Sequence, residues 1–426
     1  MTQYYDREVE TMPSAEREKL LNQRLEEVTS YAYNNVPVVR ERFDQAGVKP
    51  SQIRKVKDLE RIPVLAKSEL LKMQRANPPF GGLLTIAPQE LKRIFISPGP
   101  LYDPQSRARG GMLTVSISAK VFYAAGFGGD DIILSAFSYH LVPAGLLADD
   151  ALVLLGATVI PTGVGNTDLQ VQIMRELKVT GYFGTPSFLM TLINRAEEQG
   201  YNFRRDFTLR RAVVGAEMLP PSLRKKLEED YGIDVRQVYG TADLGLFAYE
   251  CSEKSGMHLV EELIVEIVDL ATGKQVGPGE VGEVVVTCLD PSYPLFRFGS
   301  GDLSAYTDEP CPCGRTSPRL TRIMGRVGDA AKVRGMFIRP EQIKEVMAKF
   351  PEVSRFQMVV TRSGARDEMA LKVEPKESDI DREELVKRLG ESIREVCRLK
   401  LDRVEFMAEG AIADEHKIIV DERRWE

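Results

Sequence analysis

The sequence predicts an α/β fold: a large N-terminal domain of helix-flanked sheets with a small barrel-like β subdomain, followed by a small mobile α+β C-terminal domain. Three observations carry this. Short apolar runs alternate with helical periods from about Ile132 to Tyr239, the pattern of a mainly parallel sheet covered by helices. Between Leu263 and Val286 the chain turns to β-patterned runs joined by Gly and Pro, such as Gly277-Pro278-Gly279. After Arg326 a third pattern of helices and strands starts, long enough for a domain of its own. The length of 426 residues agrees, at roughly 100 to 200 residues per domain. The boundaries read are 1–327, with the β subdomain at about 260–325, and 328–426.

Ser14 to Asn34 reads as an amphipathic helix after Pro13, with Leu20, Leu21, Leu25 and Val28 on one side: an N-terminal arm packed on the body. Ala157 to Pro161 is a short strand, Thr167 to Lys178 a helix, and Gly181 to Gly184 a strand end. The next helix is well punctuated: Thr185 as N-cap, Pro186 at N1, an apolar stripe through Phe188, Leu189, Leu192 and Ile193, and Gly200 as its stop. Strand Ala212 to Val214, helix Pro221 to Asp230 and strand Val235 to Val238 follow. The segment Tyr239-Gly240-Thr241-Ala242-Asp243 therefore reads as a loop at the carboxyl end of a strand, where open α/β sheets place ligands. In the last domain Pro340 starts a helix to about Phe350. Strands follow near Phe356 to Thr361 and Met369 to Val373, then a helix from Asp381 to Leu399 and a strand from Val404 to Met407. Gly325 to Asp329 carries glycine and no apolar block, as a hinge requires.

Lys and Arg total 57 against 63 Asp and Glu, a net charge of −6 spread along the chain, which argues against a polyanion-binding protein. No apolar run approaches the ~20 residues that cross a bilayer, and the first residues are polar and acidic, so a cytoplasmic protein without nucleic-acid or membrane partners is expected. Five Cys make a disulfide framework improbable. Cys251 and His258 lie around Ser255-Gly256, and Cys311 and Cys313 bracket Pro312 before Gly314. Thiolates and an imidazole on tight turns are what a tetrahedral, structural Zn²⁺ uses, because each turn aims two ligands at one point. Two turns with incidental soft residues are the alternative.

Several segments occur in an order that resembles the phenylacetate-CoA ligases of the adenylate-forming superfamily, which also holds acyl-CoA synthetases, luciferases and peptide-synthetase adenylation domains. They are Gly156 to Pro161, Gly165-Asn166-Thr167, Gly184 to Ser187, Gly215-Ala216-Glu217, Tyr239 to Asp243, Glu250-Cys251, Gly282-Glu283, Arg297 to Asp302, Cys311 to Arg315 and Gly325 through Gly335. The resemblance implies activation of a small, aromatic or related carboxylic acid with ATP to an acyl-adenylate, then transfer to coenzyme A after rotation of the small domain. It implies ATP/AMP, Mg²⁺ and coenzyme A as ligands, and a homodimer. Position by position, Gly215, Ala216 and Glu217 resemble the segment along the adenine, Tyr239 the residue that stacks on its other side with Gly240 permitting close approach, and Thr241 belongs to the same nucleotide-binding set. Asp243 stands where the family has a Mg²⁺-holding Glu, and Ala242 where it has a Thr. Asp302 resembles the carboxylate that accepts the ribose hydroxyls and Arg326 a second ribose contact. Lys332, Arg334 and Gly335 resemble the stretch facing the site during thioester formation, with Gly328 at the hinge, and Tyr139 and His140 the gate of the acyl and pantetheine channels. Taken singly, Asp243 is equally a turn cap, Tyr239 and His140 core residues, Asp302 a turn residue and Arg326 a surface cation.

Two segments depart from the family pattern. The phosphate loop, rich in Ser, Thr and Gly with a Lys, corresponds to Ser97-Pro98-Gly99-Pro100-Leu101-Tyr102-Asp103-Pro104. Ser97 and Gly99 are retained as phosphate contacts, but Pro98 and Pro100 each remove an amide donor and Asp103 adds negative charge. Near the end, Glu415 falls where the family has the Lys that reaches the carboxylate and α-phosphate, with Lys417 two residues later, on the same face of an extended segment. Two other functions therefore stand beside the ligase: an adenylyltransferase joining AMP to a phenolic or deazaflavin-like acceptor, and a catalytically impaired binder of nucleotide or acyl-adenylate.

Overall fold

The computed structural model describes residues 4–97, 100–107, 109–329, 331–333, 336–363, 366–376 and 381–423. The chain divides into two compact units: 1–300 with 305–322, and 301–304 with 323–426.

The large unit is organised by one sheet. Its parallel part runs in the order Thr158–Ile160, Ile132–Ser135, Gly181–Gly184, Arg211–Val214, Asp234–Thr241. Gly245–Glu250 and Met257–Leu259 then add antiparallel strands. Arg319–Arg326, Leu295–Thr307, Gly282–Cys288 and Ile264–Val268 continue the same path, so the Gly- and Pro-joined β segment belongs to this sheet. Helices Thr167–Glu176 and Pro186–Glu198 cover the parallel part. Leu189, Leu192, Ile193 and Ala196 are fully buried against Tyr182, Ala212 and Val235. Thr185 caps the second helix by accepting from the Phe188 amide at 3.3 Å. The N-terminal arm forms helix Ser14–Asn35.

Three expectations are corrected. Tyr239, Gly240 and Thr241 are not loop: they end the Asp234–Thr241 strand, because they pair with Ala248, Leu246 and Gly245 of the next strand. The segment that corresponds to the phosphate loop is half strand. Leu101–Ser106 pairs antiparallel with Leu91–Ser97, with Phe95 opposite Asp103 and Ser97 opposite Leu101, because Leu101, Asp103 and Gln105 alternate inward at the β period. Pro98 and Gly99 lie outside the described residues. The Pro221 helix stops at Lys225 and gives way to a wider π turn over Lys226–Asp230.

The small unit has a four-stranded sheet in the order Arg403–Phe406, Arg366–Pro375, Val353–Ser363, Ile419–Asp421. Helices Pro340–Met347 and Arg382–Cys397 cover it through Ile343, Val346, Leu385, Leu389 and Ile393. A ribbon of Ala331–Val333 and Met336–Ile338 precedes the first of these helices.

Candidate active site

The turn between Asp234–Thr241 and Gly245–Glu250 is tight for a steric reason. A Cβ on Gly240 would overlap the Gly245 carbonyl oxygen, and Gly245 itself has φ 75°. The turn buries the Asp243 side chain, whose Oδ2 accepts from Lys67 Nζ at 3.0 Å. Lys67 opens helix Lys67–Ala76. The same helix supplies Gln74, which accepts from the Tyr102 amide at 2.8 Å and donates to the Tyr102 carbonyl at 2.9 Å, fixing the 91–106 hairpin. The hairpin in turn puts Asp103, 6% exposed, beside Asp243. Burial first, and then the Asp243 carboxylate, push Asp103 up to about 8, with the Ser97 hydroxyl and Lys67 offsetting part of the rise. Oδ1 of Asp243, Oδ2 of Asp103, Oγ of Ser97 and Oγ1 of Thr241 are all buried without a partner of hydrogen-bonding geometry.

Against this cluster lies an apolar cavity of about 190 Å³, walled by Phe137, Val142, Leu147, Phe183, Val238 and Leu246, with Gly215, Ala216, Gly240 and Ala242 contributing backbone. Among the described residues that line it, only Ser118 and Thr241 bring polar side chains and none is charged. Ala242, Gly245, Pro143 and Leu147 line both this cavity and the neighbouring one that contains Asp103 and Asp243. Tyr139 stands at 3.5 Å from Asp149, its hydroxyl pushed up to about 12, mainly by burial. His140 is exposed, so the reading of it as a core histidine is set aside.

Gly215-Ala216-Glu217 follows strand Arg211–Val214. Ala216 is left-handed at φ 63°, and Glu217 is exposed, accepting from the Ser187 amide at 3.4 Å. Tyr239 packs edge-on against Phe247, ring centroids 4.9 Å apart. In the small unit Arg326 Nε lies 3.5 Å from Asp302 Oδ1, so the two expected ribose residues meet. Lys332 is on the Ala331–Val333 strand; Arg334 and Gly335 lie outside the described residues. Glu415 and Lys417 are both exposed, and between them His416 fixes the turn with ring nitrogens 2.7 and 2.9 Å from the carbonyls of Ala413 and Phe356.

The four expected metal ligands converge. The ligand atoms of Cys251, His258, Cys311 and Cys313 all lie within 4.8 Å of one another, and all four residues are buried. Cys251 Sγ and Cys311 Sγ are 3.7 Å apart, and Cys313 Sγ is 3.4 Å from His258 Nε2. Sulfurs on a tetrahedral zinc with bonds of about 2.3 Å stand roughly 3.8 Å apart, so the cage has the right size. His258 Nδ1 faces the Ser317 carbonyl at 3.2 Å, which holds Nε2 as the free lone pair toward the thiols. Cys313 is drawn toward thiolate, chiefly by the hydrogen bond from the Cys251 thiol and also by that from the Arg315 amide.

Sequence reasoning missed Lys67, the position of Asp103, and the grip of the N-terminal arm on the cysteine turn. Glu10 and Arg315, both buried, pair at 2.7 Å; Tyr4 donates to the Cys313 carbonyl at 2.9 Å; Arg17 donates to the Thr316 carbonyl at 2.9 Å. The buried charge of Arg315, directly after the Cys-Pro-Cys-Gly turn, was the available signal that an acid had to come from elsewhere.

Comparison with known proteins follows the same lines. A family model for AMP-binding enzymes matches residues 111–288, and one for the AMP-binding enzyme C-terminal domain matches 335–423. The chain is 33% identical over 383 residues to the phenylacetate-coenzyme A ligase of Thermus thermophilus, covering 88% of this chain and 84% of that one. It is 33% identical over 382 residues to the enzyme of that name from Escherichia coli, with 87% and 85% covered. Among solved structures it is similar to an open conformation of 2-hydroxyisobutyryl-CoA ligase in complex with 2-HIB-AMP and CoA. There the TM-score is 0.88 and the identity 28%, over 99% of this chain and 95% of that chain.

Proposed function

The chain belongs to the phenylacetate-coenzyme A ligase family of AMP-binding enzymes and is an AMP-forming acid:coenzyme A ligase working through an acyl-adenylate; from that premise we propose that its acid is compact, apolar and singly charged, aromatic acids being the best-fitting class. The observation that carries this is the cavity of about 190 Å³, small beside the roughly 300 to 1,000 Å³ of drug-sized sites. A second carboxylate or an ammonium group inside it would lose hydration with no countercharge on the walls. The acid's own carboxylate points instead toward the turn at Asp243.

In the first half-reaction a carboxylate oxygen attacks the α-phosphorus of ATP and pyrophosphate leaves. In the second the coenzyme A thiol, giving up its proton, attacks the acyl carbon and AMP leaves. We assign Asp302 and Arg326 to the ribose, and Gly215, Ala216, Glu217, Tyr239, Gly240 and Thr241 to the adenine side. Ser97 and Gly99 go to the phosphates, Lys417 to the reacting carboxylate, Lys332 to the thioester step, and Tyr139 and His140 to the channel mouth. The unpartnered Oδ1 of buried Asp243 fits a Mg²⁺ ion, which supplies charge neutralisation to the phosphates when bound. Zn²⁺ fits the cysteine–histidine cage in a structural role, since four protein ligands leave no open position. We place the protein in the cytoplasm, where ATP and coenzyme A are supplied and thiols stay reduced, and as a homodimer.

The test is pyrophosphate release with MgATP across a panel of aryl, arylalkyl, short aliphatic and dicarboxylic acids, followed by mass spectrometry of the thioester. Release with monocarboxylic aromatic acids and a product that requires coenzyme A is the expected result. Preference for dicarboxylates would refute the acid class. AMP transfer to a phenolic acceptor without coenzyme A would establish the adenylyltransferase instead.

A further inference from the structure

The family's phosphate loop carries a Lys, and this chain places a buried carboxylate there. Asp103 and Asp243 lie side by side out of water, and Lys67 pairs with Asp243 through Oδ2, leaving Oδ1 without a partner. Such an arrangement is stable when a further cation lies between the oxygens. The oxygens to hold it are present. Asp103 Oδ2 and Asp243 Oδ1 are buried without a partner of hydrogen-bonding geometry, and so is the hydroxyl of Ser97, 2% exposed, which lies beside Asp103. All three are hard oxygen donors, which suits Mg²⁺ or Mn²⁺ and not a thiophilic ion. The support is stiff: the hairpin places Ser97 and Asp103, Gln74 pins the hairpin through Tyr102, and the glycine-tight turn fixes Asp243. Lys67 is more than a third exposed along its side chain, so its ammonium can withdraw to solvent as a cation enters.

We propose that Asp103, Asp243 and the Ser97 hydroxyl form a divalent-cation site that fills in the free protein, before nucleotide arrives, so that an exchangeable cation stands where the phosphate loop lacks its ammonium group. The proposal rests on the reading of Asp243 as the metal-holding carboxylate and adds Asp103 and Ser97 as ligands. A single carboxylate retains a divalent ion mainly as the nucleotide complex; two carboxylates and a hydroxyl retain it alone.

The experiment is a titration of Mn²⁺ into zinc-replete, nucleotide-free protein, followed by electron paramagnetic resonance. One equivalent binds to the wild type without nucleotide. Asp103→Asn weakens this by about tenfold or more, the range for losing one partner at a metal site, and Ser97→Ala weakens it less. The wild type gains melting temperature on addition of Mn²⁺, and Asp103→Asn loses that rise. Loss of a residue with a merely structural role would leave the Mn²⁺-induced rise in place. Mn²⁺ bound only when ATP is present, or bound equally by wild type and Asp103→Asn, overturns the proposal; should Asp103→Asn fail to fold, an unchanged Mn²⁺ affinity in Ser97→Ala does so. Pyrophosphate release without Mn²⁺ binding to the free protein sinks this proposal alone. Mn²⁺ binding without pyrophosphate release from any acid upholds it and sinks the assignment of acid class.

Discussion

Asp302 and Arg326, the proposed ribose contacts, show how residues 24 positions apart come together: the neighbouring strands Leu295–Thr307 and Arg319–Arg326 bring the guanidinium to 3.5 Å from the carboxylate. Replacing Asp302 by Ala is expected to weaken AMP binding by roughly 1 to 3 kcal/mol, the cost of losing hydrogen bonds to an ionised acceptor. Calorimetry with AMP checks it, and an unchanged Kd would remove the ribose role. This pair was legible because both residues sit in motifs that keep their local order. Lys67 was not legible, since it reaches Asp243 across 176 positions and nothing in its neighbours marks a partner. Asp103 was visible as a charge, yet its burial was not, because only pairing with Phe95 turns it inward.

At the scale of elements, the cysteine turns were readable and the hairpin was not. Gly256 at φ 103° and Gly314 at φ 83° serve the turns that bring His258 and Cys313 around, and glycine beside a candidate metal ligand is a sequence signal. The 91–106 hairpin carries Pro100 at its turn and Pro104 within a strand, which argue for a loop; a two-stranded ribbon tolerates them because its outer edges need no ladder partner. Elemental analysis of purified protein is expected to find one zinc per chain. Cys313→Ser should lose the metal, lower Tm by several degrees, at about 2 to 4 °C per kcal/mol for a unit of this size, and expose the N-terminal arm to limited proteolysis. Zinc-free protein with the same Tm as the metal-loaded form would show that the cage carries no stability.

For the whole molecule, the chain forms two compact units, 1–300 with 305–322 and 301–304 with 323–426, and each has a core of its own. We propose that the Gly325 to Asp329 stretch is the hinge between the two half-reactions. A Cβ on Gly328 meets no atom within 4 Å, so a side chain there is tolerated and restriction of the backbone is what a proline adds. Gly328→Pro is expected to keep pyrophosphate release and to slow thioester formation by about tenfold or more, the scale of a misplaced reacting group. Rapid-quench measurement of the two steps separates them, and an equal loss in both would take the hinge role away. The grip of Tyr4, Glu10 and Arg17 on the turn around Cys313 joins residues as far as 309 positions apart. As the nascent polypeptide leaves the ribosome, its first helices therefore wait for nearly three quarters of the chain to be translated before their polar groups find partners, so the large unit locks shut late in biosynthesis.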